Sequence, residues 1–169
     1  MDKHISIRLA VADDLESIND IYNHYVRVST CTYQEEPETA DSRRIWFVNH
    51  RPETHPVTVA VREGKVVGWG SLSPYHSRCA YRHTVEISVY VHHDLHRQGI
   101  GSVILKDLID RAGKLGYHAI IAAIDGSQTA SVALHRNYGF TEVGHFREVG
   151  FKFDTWLDVV YLELMLEAK

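Results

Sequence analysis

The sequence predicts an α+β fold, a mostly antiparallel, twisted central sheet of about seven strands flanked by about four helices. Three observations predict it. Runs of apolar alternation follow one another through the middle of the chain, "VTVAVRE", "VVGWGSLS" and "HTVEISVYV". Segments with apolar residues at helical spacing lie on both sides of that block. The chain then closes on two long strand-like runs, "TEVGHFREVGFKF" and "WLDVVYLELML".

Taken in order, "ISIRLA" alternates and reads as a strand. Asp13 and Asp14 then open a helix over "DDLESINDIYNHYV", where Leu15, Ile18, Ile21, Tyr22 and Tyr25 fall at helical spacing. "STCTYQEEPETA" has turn chemistry and reads as a loop, and "DSRRIWFVNHR" as a second helix capped by Asp41 or Ser42. Val57 to Glu63 alternates strictly, and Gly64–Lys65 is the expected hairpin tip into the next strand. The third strand, His83 to Val91, follows the loop "PYHSRCAYR". A helix begins near Gly101, with Ile104, Leu108, Ala112 and Leu115 on one face and Gly116 as its stop. "HAIIAAI" is apolar throughout, which suits a buried strand. "SQTASVALHRNYGF" is a short helix ended by Gly139.

The chain has 169 residues with no repeat and no Pro-, Gly- or Ser-rich linker, so one domain is expected over residues 1–169. A net charge of −4 without long basic runs argues against nucleic acid as a partner. No apolar run approaches a membrane span, and "MDKHISIRLA" lacks the apolar core of a signal peptide. The two cysteines, Cys31 and Cys79, form no CxxC pair, so half-buried thiols in a reduced, cytoplasmic compartment are expected and a structural zinc site is not. His92, His93, Asp94 and His96 are not expected to bind metal either, because neighbouring residues of one turn rarely converge on an ion.

The most informative stretch is "YVHHDLHRQGIGSVILKDLIDRAG", Tyr90 to Gly113. A strand running into a glycine turn and then a helix aims several backbone N–H groups one way, and the helix dipole adds positive potential there. Such a junction is an anion site, most often for phosphate, and Arg97 adds charge to it. A P-loop would need G-x-x-x-x-G-K-S/T, which is absent. A dinucleotide fingerprint would need a third glycine where Ile104 stands. Glu86 is the other unusual residue. In "TVEISVYV" it points with Ser88 and Tyr90 to one face, opposite Val85, Ile87, Val89 and Val91, and is either solvated or placed in a cleft.

"His96-Arg97-Gln98-Gly99-Ile100-Gly101" resembles the Q/R-x-x-G-x-G/A motif of the GNAT N-acetyltransferase superfamily, with histidine at the first position. "IYNHYV…STCTYQEEP", "SRCAYRHTVEISVYVHHDLHRQGIG", "AIDGSQTASVALHRNYGF" and "WLDVVY" are similar to its phosphinothricin and methionine sulfoximine acetyltransferase branch. The resemblance implies the GNAT fold and transfer of an acetyl group from acetyl-CoA to the amine of a small amino-acid-like compound, typically by a homodimer. It implies that the backbone and side chains of Arg97, Gln98, Gly99, Ile100, Gly101 and Ser102 hold the coenzyme's pyrophosphate. Val89, Tyr90 and Val91 would meet the pantetheine arm in a splay between strands, and Gln128, where the branch has asparagine, its far end.

The amine must lose a proton before it can attack a thioester, and the leaving thiolate must be stabilised. By resemblance Glu86 is the general base, directly or through water, and His135 stands where many members carry a tyrosine near the sulfur. An imidazole titrating near neutrality there could donate to the thiolate or help take the amine proton. Tyr138 is expected to pack. Arg78 and Tyr81 match positions that hold a carboxylate or phosphinate, Tyr33 matches an aromatic of the acceptor pocket, and His76 stands where some relatives have lysine. Asp154 departs from the branch's K-F-G-R-W and is expected at the pocket lip. Acetylation of another small amine, a non-catalytic coenzyme A module and a nucleotide-binding protein using the same turn are the alternatives these residues leave open.

Overall fold

The structure, a computed structural model, describes residues 4–166. Strand β1 (Ser6–Leu9) runs through a short 3-10 turn at Ala12–Asp14 into helix α1 (Leu15–Val28). Asp14 does not cap α1 with its side chain. Its carboxylate accepts two N–H bonds from Arg8, at 2.6 and 2.8 Å, and a third from the Val11 backbone at 2.8 Å, which ties β1 to the start of α1. The Arg8 hydrogen bond holds the Asp14 carboxyl below its ordinary pKa.

Helix α2 (Ala40–Asn49) is capped two positions before the first expected residue, by Thr39, whose hydroxyl accepts from the Ser42 N–H at 3.1 Å. The hairpin between β2 (Val57–Arg62) and β3 (Lys65–Pro74) also turns one residue early. Arg62 and Lys65 still pair, so Glu63 and Gly64 form the tip, both at positive φ as a tight two-residue turn requires. Then follow β4 (Thr84–Val91), α3 (Ile100–Lys114), β5 (Ala119–Asp125), α4 (Thr129–Asn137), β6 (Thr141–Lys152) and β7 (Thr155–Met165). The sequence order of elements is therefore as expected.

The seven strands form one sheet in the order β1-β2-β3-β4-β5-β7-β6. Every neighbouring pair is antiparallel except β4 with β5. Because alternate residues face opposite sides, each strand feeds two cores. Val85, Ile87, Ile120 and Leu162 meet Ile104, Leu105 and Leu108 of α3 on one face. On the other, Val57, Val59 and Trp69 meet Ile18 and Ile21 of α1. Cys31 is half-buried beside this second core, whereas Cys79 is exposed, contrary to expectation; both are unpaired. Among the described residues no helix is long and apolar enough to cross a membrane.

Candidate active site

The parallel contact of β4 and β5 is short. Thr84, Val85 and Glu86 pair with Ala119, Ile120 and Ile121, and beyond Glu86 the strands separate. The ladder to β3 tells which backbone groups face the gap. The His92 N–H donates to the Val67 carbonyl at 2.9 Å, and antiparallel bonding alternates. Ser88 and Tyr90 therefore bond to β3, while the backbones of Ile87, Val89 and Val91 turn toward β5, which is no longer beside them. One of these carbonyls is taken: the Tyr25 hydroxyl donates to Val91 O and also contacts His96 Nε2, each at 2.5 Å.

Tyr90 is a correction to the expected coenzyme contacts. Its backbone faces β3, and its ring stacks on Trp69 at 4.8 Å and edge-on to Tyr22 at 5.3 Å, on the α1 side. His96 likewise stacks on Tyr25 and is drawn out of the histidine cluster. The donor atoms of His92, His93 and Asp94 do lie within 4.8 Å of one another, closer than their adjacency led us to expect. His24 of α1 stacks on His93 at 3.8 Å.

The glycine turn sits at the open end of the gap. Arg97 and Gly99 have φ of 59° and 81°, a left-handed pair that swings the chain into α3. The first intrahelical bond is Val103 N–H to Gly99 O, at 3.1 Å, and no side chain caps the helix, so the N–H groups of Ile100, Gly101 and Ser102 have no internal acceptor. A Cβ at Gly101 would stand 3.4 Å from Leu134, 3.5 Å from Val91 and 4.0 Å from Val89, all ordinary contacts. The protein itself does not need glycine there. The bare position lies between β4 and α4, where an extended thioester arm and its pyrophosphate would fit closely against the backbone.

Two side chains of the turn are partly committed elsewhere. Gln98 Oε1 accepts from Arg62 at 2.7 Å, and Ser102 Oγ shares a 2.6 Å hydrogen bond with the Tyr138 hydroxyl. Tyr138 thereby links the end of α4 to the first turn of α3. Arg97 is exposed and has no ion-pair partner among the described residues.

Glu86 lies where β4 leaves β5, half-buried on the α1 side, and its carboxylate has no hydrogen-bond partner among the described residues. Burial raises its pKa, and nearby His76 offsets part of that rise. His76 and Tyr75 pack against Tyr81, with ring centroids 5.2 and 5.5 Å away, in the exposed loop between β3 and β4. Arg78 begins the 3-10 turn in this loop, and its guanidinium is unpaired among the described residues. Tyr161 of β7, which was not singled out from sequence, feels the Glu86 carboxylate, which adds to the effect of burial in raising its phenol pKa.

Tyr33 reaches the site from the α1–α2 loop. Its hydroxyl donates to Asp158 O at 2.7 Å, and burial pushes its pKa up to about 12. The ring lies so close to β6 that a Cβ at Gly150 would be 2.7 Å from it. Gly150→Ala should therefore displace Tyr33 and raise the acceptor KM several-fold while the coenzyme KM stays put, which steady-state kinetics would measure. The same loop is pinned by Lys152, a second residue whose part the sequence did not show. Its Nζ donates at 2.8 Å to both Ser29 O and Thr32 O, with only 3% of the residue exposed. Asp154, with Phe153, forms the β6–β7 hairpin tip, both at positive φ.

His135 is 4% exposed, packed edge-on against Phe140 at 5.1 Å. Its Nδ1–H donates to Ser131 O at 2.9 Å, which leaves Nε2 as a bare acceptor. Burial lowers its pKa, partly offset by the bond to Ser131, which favours the neutral ring. Gln128 precedes α4, its Nε2 3.4 Å from Thr30 Oγ1.

The family model described as the Acetyltransferase (GNAT) family matches residues 18–140. The chain is 37% identical to the L-amino acid N-acyltransferase MnaT of Escherichia coli, over 98% of this chain and 96% of that protein. It is 35% identical to the L-methionine sulfoximine/L-methionine sulfone acetyltransferase of Salmonella typhimurium, over 96% and 95% respectively. Among solved structures, the phosphinothricin acetyltransferase of Sinorhizobium meliloti in complex with acetyl-CoA superposes with a TM-score of 0.93 at 36% identity, covering 96% of this chain and 88% of that one. The matched span includes the parted strands, the glycine turn and α4, and the kinship extends over nearly the full length of each protein: the chain belongs to the acetyltransferase (GNAT) family.

Proposed function

We propose that residues 1–169 form one acetyl-CoA-dependent N-acetyltransferase domain acting on the amino group of a small amino-acid-like compound of the phosphinothricin or methionine sulfoximine type. The observation that carries this reading is the parting of β4 from β5 at Glu86, which sets a half-buried carboxylate beside a slot with unpaired backbone groups. Bound acetyl-CoA supplies an activated acetyl group as a thioester. The amides of Ile100, Gly101 and Ser102 would receive its pyrophosphate, with Arg97 adding charge, and the Val89 backbone would meet its pantetheine arm.

Glu86 takes the proton from the acceptor ammonium, directly or through one water, leaving a lone pair on nitrogen. His135 keeps a neutral Nε2 near α4 and orients groups there as an acceptor. Arg78, Tyr81, Tyr33 and His76 surround the acceptor's acidic end. A thiol-release assay with acetyl-CoA and methionine sulfoximine tests the reading; coenzyme binding without turnover on this or any other amine overturns it. Arg78→Ala should raise the acceptor KM by about ten- to a hundredfold, the range of a lost charge-assisted hydrogen bond, with coenzyme kinetics unchanged.

A homodimer and a cytoplasmic location complete the proposal. Phe146, Val149, Phe151, Phe153 and Trp156 of the β6–β7 hairpin are each about half exposed or more, an apolar patch that suits a second copy of the chain. Sedimentation should give a dimer, and Phe151→Glu should shift it toward monomer. Two unpaired thiols suit a reducing compartment.

A further inference from the structure

A cavity of about 360 Å³ lies between α1, α2 and the α1-side face of β3 and β4. Arg43, Trp46 and Trp69 line it together with Ser71, Ser73 and Ser88. Arg43 is 4% exposed and Trp69 2%, yet Arg43 Nη2 and Trp69 Nε1 have no hydrogen-bond partner among the described residues. The guanidinium is held in place from its other side. Nε donates to Asn19 Oδ1 at 3.1 Å, and the group lies 4.6 Å from the Tyr22 ring centroid and 4.8 Å from that of Trp46. Aromatic faces stabilise a cation but offer no lone pair for an N–H. Glu38, the carboxylate nearest in effect, already accepts from the Ser42 hydroxyl.

The two buried groups left unpaired beside this cavity are thus both donors. The Ser71 and Ser88 hydroxyls also make no hydrogen bond among the described residues, and only Ser73 is engaged, with His50 Nε2 at 2.9 Å. Buried donors without acceptors are costly, and two of them on one cavity wall call for an oxyanion. The volume falls within the range of small-molecule sites, about 300–1,000 Å³.

We propose that this cavity binds a small monocarboxylate, its oxygens received by Arg43 and Trp69 and its apolar body laid against Trp46 and Tyr22. A guanidinium's planar fork suits a carboxylate, and Glu38 on the lining disfavours a second negative charge. The site is distinct from the coenzyme slot but adjoins the carboxylate of the reaction: Ser73 is paired directly across from Glu86, and Ser88 follows it on the same face. The ligand is therefore either the far end of an acceptor or a separate small acid.

Trp46 and Trp69 provide the readout. Sodium acetate, titrated against sodium chloride at matched ionic strength, should change intrinsic fluorescence saturably in the wild-type protein. Arg43→Lys, which keeps the charge and loses the fork, and Ser88→Leu, which fills the cavity, should each weaken that response at least tenfold, with a coenzyme-induced rise in Tm as the check on folding. Should Arg43→Lys fail that check, Ser88→Leu decides. Saturating methionine sulfoximine abolishes the acetate response if the acceptor's own carboxylate occupies the cavity, and leaves it intact if a separate acid does. No saturable response in the wild type, or equal responses in wild type and variants, overturns the proposal. Since no turnover is needed, an inactive acetyltransferase would leave this result standing.

Discussion

Glu86→Gln is expected to lower turnover by about 10²–10⁴-fold, the usual contribution of a positioned general base, with acetyl-CoA bound as tightly as before. Glutamine keeps the shape and removes the proton acceptor. Burial has raised the Glu86 pKa, so in the wild type kcat/KM should begin to fall at a higher pH than an ordinary glutamate would dictate. The variant's residual activity should lack that acid limb. Stability should move the other way. A raised carboxyl pKa means that the folded chain binds this proton more tightly than the unfolded one, so ionising Glu86 removes stability as pH climbs from the unfolded to the folded pKa. Glu86→Gln escapes that loss and should melt higher at neutral pH. Unchanged turnover, measured by thiol release, would remove Glu86 as the base.

Gly101→Asp should weaken acetyl-CoA binding by roughly a hundredfold or more, since like charges brought together in an interface cost several kcal/mol. The milder Gly101→Ala separates coenzyme fit from folding. Gly101 lies inside α3 without positive φ, and its added Cβ meets Leu134, Val91 and Val89 at no less than 3.4 Å. Alanine should therefore stabilise the ligand-free protein by up to about 1 kcal/mol, the helix-interior difference between the two residues. The same methyl group intrudes where the coenzyme approaches the backbone, so affinity should fall as Tm rises. Thermal melts without ligand and a calorimetric titration with acetyl-CoA measure the two effects. Wild-type affinity in Gly101→Asp would refute the turn as the pyrophosphate cradle.

The fold was legible because its signals are local. Alternation placed Glu86 and Val85 on opposite faces of β4, and glycine marked both the entrance and the exit of α3. Cap and turn residues were legible only to within one to three positions, because Thr39 and Asp41, or Glu63 and Lys65, are distinguished by backbone bonding that composition does not report. The site was half visible. Residues whose roles follow from strand parity or from the glycine turn could be named. Those defined by distant neighbours could not. Arg43 gains its setting from rings on α1, α2 and β3, and Lys152 from carbonyls on the far loop. His135 was legible in position, whereas its burial and its bond to the Ser131 carbonyl depend on the fold around it. Tyr161 carried only the pattern of an ordinary strand residue.

Strands β1–β4 and β5–β7 are joined across the sheet by three residue pairs. With so brief a seam, the apolar face that both halves pack against α3 is the main tie between them. An extended ligand hydrogen-bonded along the unzipped edge of β4 would add a second tie beside that core. Affinity for that ligand and the resistance of the C-terminal half to opening are then two measures of a single linkage free energy.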